Sequence, residues 1–161
     1  MPVWQLIHRN GESYAAEIRP MEIADVGALK QMGWENTFDW SIYLDVEHLS
    51  DAYVLLVSGN NYIQGAIAMR ADVGFVEIDL LESAPSNRYI NPNREFINVS
   101  DVLMGSACLL SLQLGFEGFV TFTPKTRLRA YYDERFGARD LGSKMYLDDI
   151  AAQRLVQLYY R

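Results

Sequence analysis

The sequence predicts one α+β domain. Its 161 residues are 50% hydrophobic and 22% charged, which is typical of a single folded domain with one core. Antiparallel strands are predicted first along the chain, and a strand–helix–strand–helix–strand order follows. The helix predicted over residues 102–114 is apolar on nearly all sides, so it must be sandwiched and is expected to lie across a sheet.

Residues 1–20 are predicted to form a β-hairpin. Apolar or small residues alternate with other residues between Tyr14 and Ile18, which is the period of a strand with one buried face. The Asn10-Gly11 dipeptide accepts positive φ angles and favours a two-residue turn. The hairpin is expected to precede the main body of the domain.

The rest of the chain is divided into elements by turn residues and apolar periodicity. The predicted elements are a helix over 21–32, strands over 52–58, 62–70 and 73–82, a helix over 102–114, a strand over 119–123, a helix over 125–136, a strand over 144–147 and a final helix over 149–160. A polar loop over 83–99 precedes the apolar helix, and Ser100-Asp101 is predicted to cap that helix.

Charge and composition argue against several function classes. A net charge of −7 repels a phosphate backbone, so nucleic acid is not expected as a ligand. The single cysteine, Cys108, excludes an intramolecular disulfide and a thiolate-rich zinc site, and it is expected in the core. His8 and His48 belong to no cluster with metal-ligand spacing. No targeting or membrane-spanning segment is visible, so a cytoplasmic protein is expected.

The long strand, polar loop and capped helix form the first candidate site. A helix N-terminus presents unpaired N–H groups and a partial positive charge, which suit a pyrophosphate. Arg88 and Arg94 in the loop could add formal charge to such a site. The alternative is that the loop simply joins a strand to a packing helix.

Several segments carry a resemblance to a known family. They are Val76–Ser83, Ala84–Arg88, the helix from Ser100, Gly118–Phe122 and Tyr131–Ala138. In type and order they resemble the GNAT superfamily of N-acetyltransferases, over about Tyr53 to Tyr146. The resemblance implies one domain over residues 1–161, with a mixed, mainly antiparallel sheet, helices on both faces and a cofactor-binding core over 52–147.

The resemblance also implies acetyl-CoA as cosubstrate. In that family the pantetheine arm pairs with an exposed central strand, which assigns main-chain contacts to Leu80, Leu81 and Ser83. The family's Q/R-x-x-G-x-G/A pyrophosphate loop matches Glu95–Ser100, where Glu95 replaces the opening Gln or Arg and Asn98 and Ser100 replace the glycines. The N–H groups of Asn98, Val99 and Ser100 are the predicted pyrophosphate contacts. The side chains of Arg88 and Lys125 complete the predicted cofactor site.

Three side chains are candidates for the chemistry. Tyr132 matches a tyrosine that the family often places beside the cofactor sulfur, where it can protonate a departing thiolate; the alternative is packing. Glu77 and Asp79 lie two apart on one strand and therefore share a face. The resemblance makes Glu77 the first choice as base for the acceptor amine and Asp79 the second. The alternative is that both are solvated charges.

Three functions remain open from the sequence. The first is direct acetyl transfer from acetyl-CoA to an amine acceptor. The negative charge of the chain favours an acceptor that is a cation. The second is a degenerate member that binds acetyl-CoA or a protein without turnover. The third is an interaction protein that uses the aromatic residues Trp34, Phe38, Trp40 and Tyr43. No metal, nucleic acid or membrane partner is expected, and a homodimer is left open.

Overall fold

A computed structural model describes residues 2–34 and 39–161 and confirms the α+β prediction. The strands are β1 (Trp4–Ile7), β2 (Ser13–Pro20), β3 (Asp51–Val57), β4 (Ile63–Ala71), β5 (Val76–Ser83), β6 (Val120–Phe122), β7 (Arg139–Leu141) and β8 (Lys144–Leu147). They form one eight-stranded sheet in the order β1-β2-β3-β4-β5-β6-β8-β7. Only the pairing of β5 with β6 is parallel among these neighbours, so the sheet is mixed and mainly antiparallel.

Helices cover both faces of this sheet. They are α1 (Ile23–Gln31), α2 (Val99–Gln113), α3 (Arg129–Phe136) and α4 (Asp149–Tyr159), with short 3-10 helices at Trp40–Leu44, Pro85–Asn87 and Thr126–Leu128. The larger core lies under α2, α3 and α4, and the smaller core lies on the opposite face under α1 and the first 3-10 helix. Within the described ranges, no helix is long and apolar enough to cross a membrane.

The apolar helix α2 is sandwiched, as its composition predicted. It packs against the sheet on one side and against α4 on the other. A side chain at Gly105 would approach the Trp4 ring to 3.0 Å, so this glycine allows α2 to lie close to β1. Cys108 is fully buried, and burial raises the pKa of its thiol to about 12, which confirms it as a core residue.

The start of α2 differs from its prediction. The helix begins at Val99, so Ser100 lies within its first turn and Asn98 occupies the N-cap position. The Asn98 side chain does not cap the helix. Its amide oxygen accepts the N–H of Ile7, and its NH₂ group donates to the carbonyl oxygen of Gln5. This side chain therefore joins the start of α2 to β1.

The N-terminal hairpin is present, but the prediction that a two-residue turn closes it was wrong. The loop runs over residues 8–12, with the His8 N–H donating to the Glu12 carbonyl at 2.8 Å. Gly11 has a φ of +90°, whereas Asn10 does not adopt positive φ. A longer hairpin loop can also place a glycine in the left-handed conformation near its end. The Asn-Gly pair is therefore compatible with both the longer loop and the two-residue turn. Strand β7 and the 3-10 helix at Trp40–Leu44 were not predicted.

Candidate active site

The sheet opens between its two parallel neighbours. Strands β5 and β6 pair only from Val76 to Ile78 on β5, although β5 continues to Ser83. Strand β4 remains paired along the other side of β5 as far as Ser83. The remaining part of β5 therefore has one edge with no partner strand in the described part of the chain, and we call this break in pairing between the α2 face and the α1 face the gap.

A β-bulge lies where this gap begins. On β4, Ala68 pairs with Leu80 and the next residue, Met69, pairs with Ile78, so Asp79 is the extra residue of β5. Asp79 as a whole residue is exposed, whereas its side chain alone is only 22% exposed, so much of the exposed surface belongs to its main chain. The bulge therefore exposes main chain at the opening of the sheet.

The main-chain groups beyond the bulge alternate between the two sides of β5. The Ala84 N–H donates to the Gln64 carbonyl of β4, so Leu80 also directs its main-chain groups to β4. Leu81 and Ser83 direct theirs to the open edge. The structure thus corrects the assignment of Leu80, because β4 already uses its hydrogen-bonding groups, and leaves Leu81 and Ser83 available to an added strand.

The first turn of α2 offers main-chain donors near the opening. The N–H groups of Val99 and Ser100 find no main-chain acceptor in the described part of the chain. Val99 also packs over Gly65 of β4, where an added Cβ would lie 2.7 Å from Val99 Cγ1. The Glu95 carbonyl accepts the N–H of Arg9 at 2.8 Å. Glu95 therefore lies toward the N-terminal hairpin.

Arg88 and Lys125 have different surroundings. The Arg88 guanidinium lies 3.6 Å from the Glu82 carboxylate, whose other oxygen accepts the Trp40 indole N–H at 2.9 Å. Arg88 is thus directed toward the α1 face, and the structure corrects its assignment to a pyrophosphate on the α2 face. Lys125 is exposed just after β6, on the far side of the gap from β5.

Glu77 is a buried carboxylate held by two cations. Its side chain is 7% exposed, and one oxygen binds Arg70 while the other binds Lys144. Arg70 belongs to β4 and Lys144 to β8, so Glu77 ties together strands on both sides of the gap. Both oxygens of Glu77 are therefore engaged within the protein.

Asp79 lies closer to the opening and also contacts Arg70. One of its oxygens accepts from the Arg70 guanidinium at 3.2 Å, and the other accepts from the Ser50 hydroxyl. Burial is the main cause that raises the pKa of Tyr43, and the Asp79 charge adds to it. Arg70 thus brings Glu77 and Asp79 together on the α1 face, as their spacing predicted.

Tyr132 lies on the α2 face of the same opening. Its ring packs edge-on against Phe122 of β6, at a centroid distance of 5.0 Å, and stacks on Phe136. Burial is the main cause that raises the pKa of Tyr132, and the neighbouring Tyr131 adds to it. Its hydroxyl therefore keeps its proton well above neutral pH.

A polar tie between three helices was not predicted. Asp101, in the first turn of α2, accepts two hydrogen bonds from the Arg135 guanidinium of α3. It also accepts the Tyr159 hydroxyl of α4 at 3.1 Å. Asp101 is 4% exposed, so this tie is largely buried and fixes the helix that carries Tyr132. An acidic residue in a first turn was its only signal in the sequence.

The aromatic residues proposed as an interaction surface are mostly buried. Trp34 and Trp40 are 4% and 3% exposed and pack against each other in the smaller core. Tyr43 is half-buried against His48, and Phe38 lies outside the described residues. In the described ranges, no group of three or more His, Cys, Asp or Glu side chains is arranged to hold a metal ion.

Sequence comparisons and fold comparisons give different results. No protein-family model matches the chain, and no curated protein matches it in sequence. Solved acetyltransferases match its fold. A spermidine N-acetyltransferase chimera from Vibrio cholerae and hSSAT is 10% identical, covers 86% of this chain and 98% of its own, and has a TM-score of 0.61.

Two further solved structures illustrate the range of this similarity. A streptothricin acetyltransferase candidate from Bacillus anthracis, solved with acetyl coenzyme A, is 12% identical over 83% of this chain and 99% of its own, with a TM-score of 0.58. The ribosomal-protein-S18-alanine N-acetyltransferase from Escherichia coli is 11% identical over 82% and 92%, with a TM-score of 0.54. The chain thus has the fold of the GNAT acetyltransferases.

Proposed function

We propose that this protein is an N-acetyltransferase that moves an acetyl group directly from acetyl-CoA to an amine. The observation that carries the proposal is the gap between β5 and β6, which joins the two faces of the sheet. Main-chain donors and Tyr132 lie on one face of this gap, and the carboxylates lie on the other. Such a gap lets two substrates meet from opposite faces of one sheet.

The α2 face holds the groups that suit acetyl-CoA. Leu81 and Ser83 would bind the pantetheine arm by strand addition, and the N–H groups of Asn98, Val99 and Ser100 would receive the pyrophosphate. Lys125 adds a positive charge at the opposite side of the gap. When bound, acetyl-CoA supplies the acetyl group as a thioester.

The side chains at the gap divide the proton transfers between them. Asp79 is our choice for the group that accepts the proton of the acceptor ammonium, because its carboxylate is at the opening and partly accessible. Glu77, the other candidate, binds Arg70 and Lys144, and it therefore helps to position the Arg70 guanidinium that contacts Asp79. Tyr132 keeps a proton at its hydroxyl that can be given to the leaving group.

An amine acceptor agrees with the proteins of similar fold. Their names give spermidine for one and the S18 alanine of a ribosomal protein for another. Because these two proteins are only 10% and 11% identical to this chain, the choice between a small amine and a protein amine has to be argued from this chain's own surface.

Ligand binding and acetyl transfer can be tested separately. A ligand that binds only the native state raises the melting temperature, so titration with acetyl-CoA, CoA and ATP measures binding without any acceptor. We expect acetyl-CoA and CoA to raise the melting temperature and ATP to have a smaller effect. Release of free CoA thiol in the presence of spermidine or a lysine peptide then measures transfer. No shift with acetyl-CoA would refute the proposal.

A second candidate function is binding of acetyl-CoA or a protein without turnover. One observation favours it: Asn98 and Ser100 replace the loop glycines, and their side chains leave less room for a pyrophosphate against the main chain. Tight acetyl-CoA binding with no thiol release above the uncatalysed rate, on both acceptors, would favour this second function.

A further inference from the structure

One segment beside the opening combines exposed apolar side chains with acidic ones. Val46 is 98% exposed, Leu49 is 81% exposed and Ile42 is 45% exposed. Residues 39–69 contain no lysine or arginine. Their carboxylates are Asp39, Asp45, Glu47 and Asp51. We call residues 42–51 the acceptor-side segment.

The structure fixes this segment against the proposed acceptor side. The Ser50 hydroxyl donates to Asp79, its N–H donates to the His48 ring, and the Tyr43 ring packs against His48. Asp51, the first residue of β3, pairs with Met69 immediately before Arg70. An acceptor that reaches Asp79 from the α1 face therefore passes the acceptor-side segment.

We propose that the acceptor-side segment docks a basic, partly apolar protein segment that presents the acceptor amine. This inference rests on the proposed function, since it assigns a class to its acceptor. The carboxylates complement lysine and arginine side chains. The exposed Val46 and Leu49 would gain from burial against apolar side chains of a peptide, which a small polyamine lacks.

The test is a direct binding measurement without acetyl-CoA. The probe is a short fluorescent peptide in which lysines are flanked by leucines, followed by anisotropy, and a matched peptide has serine at each leucine. The apolar variant is Val46→Ser/Leu49→Ser, and the charge variant is Glu47→Gln/Asp51→Asn. The control is Ile150→Ser, because Ile150 is 73% exposed on α4 at the other face.

We expect both segment variants to weaken binding of the lysine–leucine peptide by about tenfold, as loss of a central contact does. Ile150→Ser should bind as the parent does, and the serine-substituted peptide should bind the parent about tenfold more weakly. Acetylation of spermidine should be unchanged in the apolar variant. Equal binding of the two peptides, or no loss in the apolar variant, would overturn the inference.

The same measurements separate this inference from the proposed function. If spermidine is acetylated but the lysine–leucine peptide does not bind, the docking surface is refuted and the activity stands. If the peptide binds through Val46 and Leu49 but no amine is acetylated, the docking surface stands and the acetyltransferase proposal is refuted.

Discussion

Glu77 and Asp79 are neighbours on one strand with different surroundings. The bulge turns Asp79 toward the opening, whereas Glu77 stays under Arg70 and Lys144. A carboxylate that accepts a proton from a substrate needs an accessible oxygen, and a buried carboxylate between two cations is more suited to holding them. The two residues are therefore expected to respond differently to loss of charge.

The first prediction compares Asp79→Asn with Glu77→Gln. We expect Asp79→Asn to lower kcat by about 10²-fold and to remove the acidic limb of the kcat/KM profile, because an amide cannot accept the proton. Glu77→Gln should keep that limb and lower the free energy of unfolding by about 1–3 kcal/mol, since Lys144 loses its carboxylate partner and Arg70 keeps only Asp79. Rate measurements across pH and urea unfolding check both. An acidic limb lost only in Glu77→Gln would make Glu77 the base.

The second prediction concerns Tyr132. Tyr132→Phe deletes one hydroxyl from a ring held by Phe122 and Phe136, so acetyl-CoA affinity should hold while turnover falls about 10- to 10⁴-fold. Burial raises the pKa of Tyr132, so the protonated form persists to higher pH than for an exposed tyrosine. The alkaline decline of the parent's kcat should lie above the ordinary tyrosine range. Unchanged turnover in Tyr132→Phe would exclude it from the chemistry.

At the scale of elements, the position of α2 on the sheet decides whether its first turn faces the opening. Gly65 of β4 permits this approach, because an added Cβ would lie 2.7 Å from Val99 and 2.9 Å from Leu103. The Asn98 side chain fixes the same end of α2 to β1, and Asp101 ties it to Arg135. Close packing at Gly65 and the hydrogen bonds of Asn98 and Asp101 therefore act together to position the start of α2.

The third prediction is that Gly65→Ala displaces the start of α2. Overpacking at such a contact should lower the free energy of unfolding by about 1–3 kcal/mol and weaken acetyl-CoA binding. Gly27→Ala is the matched control, because nothing lies within 4 Å of its added Cβ in α1. That control should be neutral or stabilise by about 0.5–1 kcal/mol. Calorimetric titration and urea unfolding measure both effects, and parent-like acetyl-CoA affinity in Gly65→Ala would contradict the placement.

At the scale of the whole molecule, charge acts on the two proposed substrates in opposite directions. The net charge of −7 attracts a cationic amine and repels the phosphates of acetyl-CoA. The local main-chain donors and Lys125 must offset that repulsion at the cofactor side.

The fourth prediction follows from this balance. Raising the salt concentration from about 0.02 M to about 0.2 M screens the molecular field, so kcat/KM for spermidine should fall about 3- to 10-fold. The KM for acetyl-CoA should stay level or decrease over the same range. Initial-rate measurements at fixed pH check both trends, with a neutral amine as the control acceptor. An increase in kcat/KM for spermidine would contradict the prediction.

The sequence by itself determined the fold class, and it predicted a candidate site at the start of one helix. Apolar periodicity depends on neighbours in the chain, so it predicted the hairpin, the central strands and the sandwiched helix α2. The spacing of Glu77 and Asp79 predicted their shared face, because side chains alternate along a strand. The resemblance in element order was confirmed by the fold comparisons.

Only the tertiary structure decided which groups meet at the opening. The bulge at Asp79 and the separation of β5 from β6 arise from strand pairing, which no local pattern encodes. Lys144 reaches Glu77 across 67 positions of sequence, and Arg135 reaches Asp101 across 34. Such partners are chosen by how the elements pack, since a charged side chain pairs with whatever the fold brings beside it. That is why Arg88 is directed to Glu82 and Leu80 to β4.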